Sequence, residues 1–165
     1  MSNHRKRGFT AGVAALLALT GCGIRDINLV EDRRIHIDAP HDQQLVRLPM
    51  TLRWSARGVG PGLTYAVFLD RPPLRPGKTL KSLAKDAEDD ACMARPDCPD
   101  AAWLAGRGVY LTENRSLVLA ALADRRPENR PKARDGHEAV IVLLNGTRRV
   151  GESSWYRQFY IERGR

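Results

Sequence analysis

The chain has 165 residues, 42% of them hydrophobic and 28% charged, with 27 lysines and arginines against 19 acids for a formal net charge of +8. That is one domain's worth of globular protein, too apolar for a disordered chain, and no stretch reaches the ~20 apolar residues of a membrane-spanning helix. Collagen, coiled coil and polytopic membrane protein are excluded on the same grounds.

In chain order, the first features are basic Arg5, Lys6 and Arg7, an apolar run from Gly8 to Thr20, and Leu19-Thr20-Gly21-Cys22. Basic, apolar and small-residue regions in that order read as a secretory signal. The run of thirteen residues spans only about 20 Å as a helix, short of the ~30 Å hydrocarbon core.

Leu-Thr-Gly-Cys at the end of such a signal resembles the lipobox of bacterial lipoproteins. The resemblance covers residues 1–22 and implies that residues 1–21 are removed and that the Cys22 thiol is lipidated, becoming the new N-terminus. A thiolate is the side chain best suited to forming that thioether. Two or three acyl chains of the palmitate type, at about 0.8 kcal/mol per buried CH₂, make a stable anchor in a lipid bilayer. The alternative is an ordinary secretory signal with a cysteine near the cut by chance. Removal of residues 1–21 takes Arg5, Lys6 and Arg7 with it and leaves 144 residues of net charge +5. Gly23 is not the aspartate that retains enteric lipoproteins at the inner membrane. The resemblance therefore implies the periplasmic face of the outer membrane where there are two membranes, and otherwise the outer face of the cell membrane.

Residues 22–32 lack periodicity and read as a tether of at most roughly 35 Å. Ile35 and Ile37 alternate with His36 and Asp38 and stop at Ala39-Pro40, a short strand. Val46, Leu48, Met50, Leu52 and Trp54 share one parity and Arg47, Thr51, Arg53 and Ser55 the other, so one face is core and one solvent. Pro49 marks a bulge or the first residue of the strand there. Residues 64–69 form the next strand, and 109–112 and 116–122 two more, with Leu117, Leu119 and Leu122 inward. Residues 139–144, apolar throughout, suit a strand covered on both faces. Asn145-Gly146 predicts a type I′ hairpin, with a return strand carrying Trp155, Phe159 and Ile161 on one parity. About seven short strands over residues 33–165 predict an all-β, antiparallel β-sandwich.

Residues 74–108 interrupt the pattern. Leu80, Leu83, Ala84 and Ala87 have helical spacing, so this stretch is expected to be an insertion holding one short helix or loop. With Cys22 lipidated, Cys92 and Cys98 remain as a pair, and export to an oxidising compartment makes a disulfide the expected outcome. A redox-active pair is the alternative.

The strand order is similar to fibronectin type III and related immunoglobulin-like domains. Leu52-Arg53-Trp54 looks like their second strand with its core tryptophan, residues 65–69 like the third, 117–122 like the strand before the corner, and 137–151 with 155–161 like the last two. The insertion departs from the family, as does His137 near the corner tyrosine's place. The resemblance implies binding or spacing, since the fold itself implies no chemistry.

Several groupings invite a site. His36, Asp38, His41 and Asp42 are metal-compatible types, but nothing in the sequence supplies further ligands, and no metal site is expected. Asp86, Glu88, Asp89, Asp90, Asp97 and Asp100 lack the spacing of a calcium loop. Ser153 or Ser154 beside His137 would be needed for a hydrolase, yet Gly151-Glu152-Ser153-Ser154 is not a nucleophile elbow. Arg125, Arg126, Arg130, Lys132 and Arg134 gather five positive charges with three acids in the loop 124–135. This is either a solvated loop or a contact for an anionic envelope polymer or headgroup, since guanidinium groups match phosphate. The expectation is a non-catalytic, membrane-anchored binding or assembly module of the cell envelope, needing no cofactor. Its partners are the bilayer and an envelope protein or anionic polymer, and not nucleic acid. An envelope enzyme, or an accessory subunit of one, is the alternative.

Overall fold

The computed structural model describes residues 31–126, 128–130 and 132–162; the expected signal, Cys22 and nearly all of the expected tether lie outside them. The fold is mostly β, in two sheets. Strands β1 (Ile35–Ala39), β3 (Met50–Ala56) and β6 (Ser116–Leu119) form one, in the order β1-β3-β6. The other runs β2 (Gln44–Val46), β9 (Arg157–Ile161), β7 (Asp135–Asn145), β4 (Leu63–Leu69), β5 (Val109–Thr112), with β8 (Arg148–Ser153) also on β7. Every ladder is antiparallel except β2 on β9.

Alternation places the core. Along β3, Met50, Leu52, Trp54 and Ala56 are buried while Thr51, Arg53 and Ser55 are exposed. They meet Tyr65, Val67, Ile141, Leu143 and Phe159 from the facing sheet, and the Trp54 ring stands edge-on to Tyr65 at 5.4 Å. The stretch from Val46 to Trp54, however, is two strands belonging to different sheets. β2 pairs with β9, and the chain crosses at Arg47-Leu48-Pro49 before β3 begins on β6 and continues on β1. A proline cannot donate to a ladder, and the crossing falls where that donor is missing.

The apolar run 139–144 is covered on both faces. Ala139, Ile141 and Leu143 face the sandwich interior, and Val142 and Leu144 face outward with Ala66 and Phe68. The cover is the insertion between β4 and β5, which carries three short helices: α1 (Lys81–Asp86), α2 (Asp90–Met93) and α3 (Ala101–Ala105). Leu74, Leu80, Leu83 and Leu104 pack onto the outward residues as a second core. One helix was legible from spacing; α2 and α3 are one turn each and start on aspartate caps, Asp89 accepting from Cys92 N–H and Asp100 from Trp103 N–H. Cys92 and Cys98 are joined as a disulfide with Cα atoms 5.2 Å apart, packed with Ala84, Met93 and Trp103. The insertion returns through Gly108, whose φ is +73° and whose absent Cβ would lie 2.7 Å from the Leu69 carbonyl oxygen.

Two turns differ from expectation. The β7–β8 hairpin pairs Asn145 with Arg148, so its central residues are Gly146 and Thr147, and only Gly146 has positive φ. The return strand breaks into β8 and β9 around residues 154–156, leaving Trp155 exposed while Phe159 and Ile161 are buried. Among the described residues no helix is long and apolar enough to cross a membrane.

Candidate functional site

The registers give the sandwich two ends. Ile35 pairs with Ala56 and Leu63 with Asn145 at one end; Met50 with Leu119 and Asp135 with Ile161 mark the other. The chain enters beside β8, where Glu31 bridges Ser153 in parallel. The described residues thus begin at Glu31 on the edge of β8, and the arginine-rich loop between β6 and β7 sits at the second end.

The entry point is locked by charge. Asp32, buried, accepts from Arg34 Nε at 2.9 Å and Nη2 at 2.7 Å, and these bonds hold its carboxyl below the usual range although burial opposes them. Nearby, Arg149 is 3% exposed. It donates through Nη1 to the Leu74 carbonyl and through Nε to the Gly151 carbonyl at 3.2 Å, with Nη2 3.6 Å from Glu152. Burial lowers its pKa, against the attraction of Glu152 and Asp32. Arg149 thus fastens the start of the insertion to β8.

At the other end, the loop rests on a buried ionic platform. His137 is 1% exposed and stacked on Phe159. Its Nδ1 lies 2.8 Å from Asp70 Oδ2, and its Nε2 is 3.4 Å from Asp135 Oδ1, ion-pair distance without hydrogen-bond alignment. Asp70 also accepts from Glu138 N–H at 2.8 Å and lies 3.3 Å from Arg125 Nη1. Burial alone would raise the Asp70 pKa, but the bonds from His137 and Glu138 and the charges of His137 and Arg125 hold it low. Asp135 accepts from Arg125 N–H at 2.7 Å.

The five basic residues of the loop therefore divide. Arg125 is tied to Asp70, by its carbonyl at 3.0 Å as well as its carboxylate, and Arg126 pairs with Asp124 at 2.7 Å. Arg130 and Lys132 are exposed, and their side chains have no ion-pair partner among the described residues. Arg134 is exposed, its guanidinium 5.5 Å from the Tyr160 ring centre. Beside this end lies a groove of about 540 Å³ lined by Arg47, Leu48, Ala120, Ala121, Leu122 and Ile161, with Glu162.

The other groupings do not assemble. Ser154 is buried with its hydroxyl accepting from Ile141 N–H and donating to the Trp155 carbonyl, while the ring nitrogens of His137 face carboxylates. The two are not brought together as nucleophile and base. Asp38 takes the Ser55 hydroxyl and Asp42 the Gln158 N–H, and no group of three metal-compatible side chains is found among the described residues. Asp89 bonds Trp103 Nε1, Cys92 N–H and Arg107, which together lower its pKa; it is a structural hub of the insertion.

Two features leave no local mark in the sequence, the Asp70–His137–Asp135 platform and the Arg149 fastening; a third is the exposed Trp155-Tyr156 pair, of which Trp155 is expected at the start of the last strand. The last had a signal, because adjacent aromatics on a strand point to opposite faces and cannot both enter one core. No family model, curated protein or solved structure matches the chain.

Proposed function

We propose that the chain is a bacterial envelope lipoprotein, lipidated at Cys22 after removal of residues 1–21, whose immunoglobulin-like sandwich acts as a non-catalytic binding or assembly module. The Leu19-Thr20-Gly21-Cys22 sequence behind a basic and apolar leader carries this reading. The insertion makes it an unusual member of the immunoglobulin or fibronectin type III class. Supporting that class, the order β1-β3-β6 follows the first, second and fifth strands of such a domain, and β4, β7 and β8–β9 its third and last two.

The arrangement of the two ends supports a bridging role. Glu31 and Asp32, the first described residues, lie on β8 and the basic loop stands at the other end, so an anchor upstream of Glu31 and the loop need not share one surface. Arg130, Lys132 and Arg134 are the residues offered to an anionic polymer of the envelope, with Arg125 and Arg126 holding the loop to the platform. A Cys22→Ser variant should leave the detergent phase on phase partition of cell extracts. If that variant is processed and partitions as before, the anchor assignment is wrong. Crosslinking in cells followed by mass spectrometry then identifies what the loop touches.

A further inference from the structure

Trp155 and Tyr156 are 54% and 46% exposed and stack on each other at 5.3 Å. They occupy the break between β8 and β9, and buried Ser154 builds that break. Its N–H donates to the Ile141 carbonyl at 2.8 Å, and its hydroxyl accepts from Ile141 N–H at 3.0 Å and donates to the Trp155 carbonyl at 3.1 Å. The serine pins the chain to β7 where the register shifts between Val142 and Leu143, and the next two side chains are turned into solvent. Holding two large rings in water forgoes the gain their burial brings. Tryptophan and tyrosine are also the residues that concentrate at lipid–water boundaries.

The pair lies next to the first described residues of the chain. Glu31 bridges Ser153, and Asp32 N–H donates to the Ser153 carbonyl at 2.7 Å. From Glu31 back to Cys22 the extended chain reaches at most about 30 Å. Arg33 and Arg57 are exposed near the entry, Arg57 N–H donating to the Arg34 carbonyl, and neither side chain has an ion-pair partner among the described residues. We infer that this edge is a membrane foot: Trp155 and Tyr156 enter the interfacial layer of the bilayer that holds the anchor, with Arg33 and Arg57 over anionic headgroups. The inference rests on the lipidation of Cys22, because a short tether raises the effective concentration of the pair at the bilayer and lets a weak contact suffice.

The test uses the whole mature chain in two forms. Native protein is reconstituted into phosphatidylcholine–phosphatidylglycerol vesicles with and without brominated acyl chains, and the Cys22→Ser chain is added to the same vesicles from solution. Brominated chains should quench the native protein's tryptophan emission, and Trp155→Phe should remove that quenching, since Trp54 and Trp103 sit within the fold. In the Cys22→Ser chain, Trp155→Ala with Tyr156→Ala should lower vesicle partitioning about tenfold or more, as each ring withdraws on the order of 100 Å² from water. Val118→Ala, at a residue 67% exposed on β6, should leave partitioning unchanged. Acylated protein whose Trp155 is not quenched overturns the foot and leaves the anchor standing. Native protein without acyl chains, combined with Trp155-dependent binding, overturns the anchor and keeps the foot. Trp155 already shielded from iodide before vesicles are added means that another part of the chain covers it, and the foot is wrong.

Discussion

At the scale of single residues, parity decides most outcomes. Trp54 is 3% exposed against Tyr65, while its neighbour Arg53 is exposed. Trp54→Ala should cost about 3 to 5 kcal/mol, much of the ~5 to 15 kcal/mol that holds a domain together. Arg53→Ala should change the thermal midpoint little; the reverse ranking would shift the register of β3 by one and undo the sandwich built on it. Asp70 gives a pH signature. Its folded pKa is below its ordinary value of 3.8, so its contribution is fully present above that value and is lost as pH falls through the folded pKa. Asp70→Asn should lower stability at neutral pH and shrink the loss seen between neutral and acid conditions in urea titrations. An unchanged acid profile would show that the platform does not hold the loop. Of this platform only His137 stood out in the sequence. Asp70 lies 67 positions away from it, and no local pattern records a contact made by the closing of a sheet.

At the scale of elements, strands were readable where alternation or an unbroken apolar run marks them, and the joints between strands and most of the insertion were not. β1 and β3 stand where alternation puts them, because burial on one face imposes period two. β2 and β3 were merged, since the parity of Val46 and Leu48 continues that of Met50 although the chain changes sheets between them. The insertion hid most of its structure for another reason: one-turn helices are too short to show a periodic face, and α2 and α3 are set by caps, a disulfide and packing onto Phe68 and Leu144. The disulfide closes a small loop, so Cys92→Ser with Cys98→Ser should cost on the order of 2 kcal/mol. Amide exchange should rise in residues 88–107 and stay slow in β7. Equal exchange across the insertion in both proteins, or free thiols at both positions in protein recovered without reductant, would contradict this account of how the insertion is held.

For the whole molecule, the three layers are small sheet, large sheet and helical insertion, with the chain's entry and the basic loop at opposite ends. The sandwich was legible because turns and alternation recur along 33–161; the third layer announced itself only indirectly, through a strand apolar on both faces. The proposed function leans on the N-terminal string, because a processing motif is read linearly while a binding surface is assembled by folding. The central claim, that this module is lipid-anchored, is tested most directly by mass spectrometry of the N-terminal peptide of protein isolated from its native membrane. The account predicts a peptide beginning at Cys22 and heavier by a diacylglyceryl group, with or without a further acyl chain. A peptide that retains residues before Cys22, or begins elsewhere with Cys22 unmodified, would contradict it.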